Sequence, residues 1–235
     1  MINIENNKVL QTLEGHQKDI NTIKYLHEYN KYFIASGSDD QSIMIWDLKA
    51  GIKVRTLSGG CDNVLFIDNL NFKGPSYLIS LSKDYKIKIW NLKLANNSCL
   101  KTLQGHNSPI SKLIEIRKDF ICSSDNSGVI ISWKYSGEKS IKKVNAHNGN
   151  KITSLVKISK FSVLISICSE NILKIWEMES LENMYTLEGS NMNHLNKITL
   201  PPVKKVLNDF SYNMWLTSFN ENKYEIDIRE INFNY

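Results

Sequence analysis

The sequence predicts an all-β fold made from one four-strand unit written five times. Two observations carry this. A tryptophan-centred segment returns at a nearly fixed interval, and between its returns short apolar runs alternate with turn residues and show no helical period. SIMIWDLK (42–49) comes back as KIKIWNLK (86–93), VIISWKYS (129–136) and ILKIWEME (172–179). Trp46, Trp90, Trp133 and Trp176 are therefore 44, 43 and 43 residues apart. A period of that length marks an array in which each unit buries its faces on its neighbours.

The first unit shows the strands in order. INTIKYL (20–26) alternates with period two, as a half-buried strand does, and YFIASGS (32–38) is a more continuous apolar strand ending at the turn pair Asp39-Asp40. SIMIWDL (42–48) is the third strand and KVRTL (53–57) the fourth. The fourth strand recurs as CLKTL (99–103), SIKKV (140–144) and NMYTL (183–187), and also ahead of the first unit as KVLQTL (8–13). The chain closes on a third strand, YEIDIREI (224–231). A ring accounts for this offset, with residues 8–13 as the closing strand that completes the last unit and pairs both edges. The whole chain, 1–235, reads as one domain, with units at roughly 14–57, 58–103, 104–144, 145–187 and 188–235.

Gly15-His16, Gly105-His106 and the near match Ala146-His147 each stand 27 to 30 residues before a tryptophan. With the Trp-Asp of the third strand, this pattern resembles the WD-repeat family, whose fold is a β-propeller of four-stranded antiparallel blades. The resemblance implies a hydrogen-bonded set in each blade: a histidine, a second-strand Ser, a turn Asp and the tryptophan. Such groups each cost several kcal/mol to bury unpaired, and joined they satisfy one another. By position the sets are His16, Ser36, Asp40 and Trp46; then Ser80, Asp84 and Trp90, with Cys61 in the histidine's place. The third is His106, Ser123 and Trp133, with Ser127 at the Asp place. The fourth is His147, Ser166 and Trp176, with Glu170 there. In the fifth unit Ser190 replaces the histidine and Arg229 the tryptophan, while Trp215 falls in the second-strand segment NMWLTSF. One complete network of five is expected. His, Ser and Asp are also the residues of a nucleophilic triad, but a set that recurs once per unit and shares a buried indole reads as structure.

Composition narrows the function. The net charge of +5 comes almost wholly from lysine, since only Arg55, Arg117 and Arg229 are arginine. Arginine is the better bidentate phosphate binder, and lysine, asparagine and isoleucine together fit A/T-rich codons, so nucleic acid is not the expected partner. Cys61, Cys99, Cys122 and Cys168 lack metal-ligand spacing and read as free thiols. No metal, cofactor or catalytic residue is expected: SGGCDN (58–63) lacks phosphate-loop spacing, and HExxH is absent. MINIENNKVL lacks a signal peptide's apolar core and no run suits a membrane span, so cytoplasm is the expected location, or the nucleus.

The resemblance implies partner contacts from one face, near the start of each first strand and just before the turn Asp. Those positions are Asp19, Asn21 and Asp39; Asn63, Leu65 and Lys83; Pro109, Ser111 and Asn126; and Lys151, Thr153 and Ser169. The function this implies is a non-catalytic protein–protein interaction scaffold, a subunit or adaptor of a larger assembly. Two alternatives stand beside it. One is a polyanion-binding module for RNA or acidic membrane. The other is a ubiquitin-ligase substrate receptor, to which WDLK (46–49) and WNLK (90–93) are weak matches because they carry Lys where that motif has Arg. The missing Arg-Arg pair argues against phosphoinositide binding. Five units leave three arrangements open: a closed ring, an open ring completed by a partner's blades, or a shortened relative of a longer protein.

Overall fold

The structure is a computed structural model. It describes residues 2–3, 8–9, 11–26, 32–58, 62–70, 77–93, 99–135, 140–159, 162–187, 197–199, 211–220 and 225–234, with 2–3, 8–9, 140–141 and the last three segments as backbone. Among the described residues every regular element is a strand. Strand β1 (Ile2–Asn3) pairs with β2 (Lys8–Val9). The first blade is β3 (Ile20–Tyr25), β4 (Phe33–Ser38), β5 (Ile43–Asp47) and β6 (Ile52–Leu57). The second is β7 (Val64–Asn69), β8 (Tyr77–Ser82), β9 (Ile87–Asn91) and β10 (Cys99–Leu103). The third is β11 (Ile110–Arg117), β12 (Phe120–Asp125), β13 (Val129–Lys134) and β14 (Ser140–Asn145). The fourth is β15 (Ile152–Ile158), β16 (Val163–Cys168), β17 (Leu173–Glu177) and β18 (Asn183–Leu187). Each is an antiparallel meander of four strands. A three-stranded sheet follows: β19 (Lys197–Thr199), β20 (Ser211–Asn220) and β21 (Glu225–Asn234).

The pairing expected between residues 8–13 and the last unit is not among those described. Lys8–Val9 pairs with Ile2–Asn3, and residues 11–13 lie outside any strand.

The blades stack through a repeated junction. Opposite residues of paired strands share a face, so Ala35, Ile43, Ile45 and Leu57 form the trailing face of the first blade. They pack on Val64, Ile67, Leu78 and Trp90, the leading face of the second. The second and third blades meet in the same way through Ile79, Ile87 and Ile89 against Ile121, Ile131 and Trp133. Cys122 and Ile130 meet Leu155, Leu164 and Trp176 at the third junction. Gly37 is required at the first junction: a Cβ there would lie 2.5 Å from Val64 Cγ1 and 2.9 Å from Ile67 Cδ1.

One face breaks the pattern. Ile20 and Ile23 hold the leading-face register of Val64 and Ile67, yet they are 49% and 63% exposed against 0% and 2%. The first blade thus carries the chemistry of a junction that the structure leaves uncovered.

Candidate functional site

Behind the face with the candidate contact residues stands a frame of buried polar groups. In the first blade the Trp46 Nε1–H donates to Ser36 Oγ at 2.7 Å, and Ser36 Oγ lies 2.7 Å from His16 Nε2. His16 Nδ1 lies 2.7 Å from Asp40 Oδ2. Only one arrangement satisfies every atom: the serine accepts from the indole and donates to Nε2, leaving Nδ1–H to donate to the carboxylate. Asp40 also accepts from the Ser42 N–H (3.0 Å), the Ser42 hydroxyl (2.7 Å) and the Gln17 N–H (3.1 Å). Burial alone would raise its pKa, but the donors from Ser42, His16 and Gln17 outweigh burial and hold the carboxyl well below the usual range. The glycine before the histidine has a steric reason, since a Cβ on Gly15 would sit 2.9 Å from the Trp46 ring.

The third blade corrects the sequence reading. Ser127 does not take the acid's part: His106 Nδ1 pairs with Asp125 Oδ2 at 2.6 Å, while Nε2 lies 2.7 Å from Ser123 Oγ, which accepts from Trp133. Two described networks are therefore complete, not one. The acid has moved from four residues past the serine to two, and Ser127 donates to it instead at 2.8 Å. A strand-end carboxylate and a turn carboxylate can reach the same imidazole, which a fixed spacing hides. Burial opposes ionisation of Asp125, but His106, Ser127 and Val129 as donors lower its pKa. Asp125→Ala leaves a buried Nδ1–H without a partner and is expected to cost about 1–3 kcal/mol in urea unfolding, against near zero for Glu170→Ala.

In the second blade Trp90 donates to Ser80 at 2.9 Å, but Asp84 is drawn to Lys86 (2.7 Å) and Ser82 (2.5 Å). Cys61 lies outside the described residues, as does Ser190 in the fifth unit; Arg229 and Trp215 are described by backbone alone. In the fourth blade Trp176 donates to Ser166 at 2.8 Å and His147 Nε2 lies 2.7 Å from that hydroxyl. Glu170 does not complete the set: it is exposed, and buried His147 Nδ1 has no hydrogen-bond partner among the described residues. Burial, reinforced by the nearby Lys174 ammonium, pushes the His147 pKa down to about 4.

None of these serines faces a substrate. Ser36, Ser123 and Ser166 are 3%, 0% and 0% exposed, and each is held by an indole. Among the described residues no cluster of His, Cys, Asp and Glu could hold a metal, and no helix is long and apolar enough to cross a membrane. Cys99, Cys122 and Cys168 are free thiols.

The candidate contact residues come together at one end of every blade. The Asp39 N–H donates to Asp19 O, Lys83 to Asn63, Asn126 to Pro109 and Ser169 to Lys151, at 2.9–3.0 Å. Past each turn stands a residue with positive φ: Gln41, Tyr85, Gly128 and Asn171. Side chains at four of the twelve positions, Asn21, Asp39, Ser111 and Thr153, are engaged in stitching the chain. Asn21 Nδ2 donates to Asp39 (2.6 Å) and across the junction to Val64 O (3.1 Å). Ser111 and Thr153 donate to Ser124 O and Ile167 O, each at 3.2 Å. Leu65 is exposed, as are Asp19, Lys83, Pro109, Lys151 and Ser169. Between the third and fourth blades this end opens into a groove of about 380 Å³, lined by Ser111, Lys112, Asn126, Lys151 and Thr153 over Ile110 and Ile152. Lys112 was not foreseen; its register opposite Ser124 turns it toward the fourth blade.

Residues 7–47, which include the first complete network, match the family model described as WD domain, G-beta repeat. Residues 7–47 thus match a single WD repeat. Similar curated relatives include nuclear distribution protein nudF 1 of Talaromyces marneffei, 32% identical over 59% of this chain and 30% of the relative. Nuclear distribution protein nudF of Aspergillus niger is 28% identical over 76% of the chain and 40% of the relative. Nuclear distribution protein PAC1 of Arthroderma otae is 30% identical over 61% and 30%. The chain spans 30–40% of the length of these relatives.

Proposed function

We propose that this chain is a non-catalytic protein-interaction scaffold, a subunit or adaptor of a larger cytoplasmic assembly, with the nucleus as the other compartment open to it. The observation that carries the reading is the division of polar groups. Network groups are turned inward and bonded to one another, while one blade end leaves a chemically mixed surface free. Asp19, Lys83, Pro109 and Ser169 belong to that surface and have side chains that the frame does not need. The relatives' name, nuclear distribution protein, supports placing the assembly among those that distribute nuclei. The reading takes the chain as one domain of five units, closed by itself or by a partner's blades.

Capture of the tagged chain from lysate of its own cells at ~0.1 and ~0.5 M salt tests this, alongside a variant carrying Asp19→Lys, Lys83→Glu and Ser169→Glu. A defined protein kept by the native chain at the higher salt and lost from the variant is the expected result. Recovery of only nucleic acid or lipid, released as salt rises, overturns it in favour of polyanion binding.

A further inference from the structure

We infer that the groove between the third and fourth blades docks an acidic peptide segment of a protein partner, an inference that rests on the scaffold reading above. The groove holds about 380 Å³, within the ~300–1,000 Å³ of pockets that take ligands. Two lysines flank it, and both are exposed. Among the described residues neither Lys112 nor Lys151 has an ion-pair partner, whereas Lys24 pairs with Asp68 and Lys86 with Asp84. Among the described residues no carboxylate lines the groove. Asp125, next in sequence to lining residue Asn126, is 1% exposed and bonded to His106, Ser127 and Val129. Exposed Glu170 stands one residue past Ser169 and outside the lining.

The remaining surface suits a peptide. Thr153 spends its hydroxyl hydrogen on Ile167 O, so its oxygen is left as an acceptor suited to an N–H of an extended chain, while Ser111 Oγ is bonded to both Ser124 O and Ser124 Oγ. Half-buried Ile110 supplies an apolar edge above fully buried Ile152. Ligand carboxylates would meet the lysines, and a ligand aliphatic Ile110.

Phosphate chemistry is less well served. The guanidinium of Arg55 bonds Leu92 O and that of Arg117 bonds Glu179, so neither offers a fork to this groove. No aromatic ring lines it on which a base could stack. The junction between the first and second blades is chemically opposite, bridged by Asn21 and bordered by Asp19 and Asp39.

The test uses the whole chain and a fluorescein-labelled decapeptide of alternating glutamate and leucine. Its glutamine counterpart, a single-stranded oligonucleotide and phosphatidylserine vesicles serve as competitors. Binding of the acidic peptide is expected, with the glutamine peptide at least ~10-fold weaker. Lys112→Glu with Lys151→Glu should weaken it about 10-fold or more, while the exposed pair Lys18→Glu with Lys93→Glu should change it less than about 2-fold. Carbodiimide coupling should join peptide carboxylates to Lys112 or Lys151. No binding at millimolar peptide, equal loss from both lysine pairs, coupling elsewhere, or stronger binding of the oligonucleotide or vesicles each overturns the proposal. The scaffold reading survives such a failure if the salt-resistant partner is still captured by the Lys112→Glu, Lys151→Glu chain.

Discussion

Ile67→Ala is expected to lower the stability of the chain by about 2–5 kcal/mol, whereas Ile23→Ala, at the same place one repeat earlier, should change it by less than about 0.5 kcal/mol. Each isoleucine lies opposite its blade's network serine, Ile67 against Ser80 and Ile23 against Ser36. Their sequence contexts are alike and their burial is not. Ile67 sits in the first junction at 2% exposure with Ala35, Ile45 and Leu57 around it, so truncation opens a cavity in packed aliphatic surface. Ile23 is 63% exposed and loses little on truncation. Urea midpoints for the two variants, with the slope held as a check on two-state behaviour, decide the matter. Equal losses would show that a further blade covers Ile20 and Ile23 in solution, and the open face of the first blade would be refuted.

Acid should weaken the fourth blade before it weakens the others. The His147 pKa is about 4 in the folded chain and 6.5 for a free imidazole, because burial and Lys174 disfavour its charged form. Between those values the unfolded state binds more protons, so stability rises with pH. The contribution is fully present above about pH 6.5, is lost as pH falls, and is gone near pH 4. The shift corresponds to at most about 3 kcal/mol. The lowered carboxylates Asp40, Asp84 and Asp125 act in a separate window, losing their contribution only below about pH 4. Glu170→Asp separates the two effects. It sets a short carboxylate four residues past Ser166, the spacing of Asp40 from Ser36, where it can accept from His147 Nδ1–H. Melting temperatures at pH 7.5 and 5.0 should differ by several degrees in the native chain and clearly less in the variant. An unchanged difference would show that His147 does not carry the acid response.

The sequence by itself determined the repeat, the strands and most of the polar frame. Spacing between tryptophans is a covalent property of the chain, and a period-two apolar pattern reports directly which residues a strand must bury. The ten-residue step from Ser36 to Trp46 recurs from Ser80 to Trp90, Ser123 to Trp133 and Ser166 to Trp176, and every one of these pairs is hydrogen-bonded. What only the tertiary structure decided is where side chains from different strands converge. Asp125 reaches His106 and takes the part that linear spacing assigned to Ser127, while Glu170, at the expected spacing, stays in solvent. Ile23 and Ile67 are interchangeable as letters and differ in burial because one has a neighbouring blade over it. Lys112 and Lys151 lie 39 residues apart and share a groove through the stacking of two sheets. Local patterns fix what a strand can do, but hydrogen bonding and burial act through space, so the partner of each group is settled only when the blades meet.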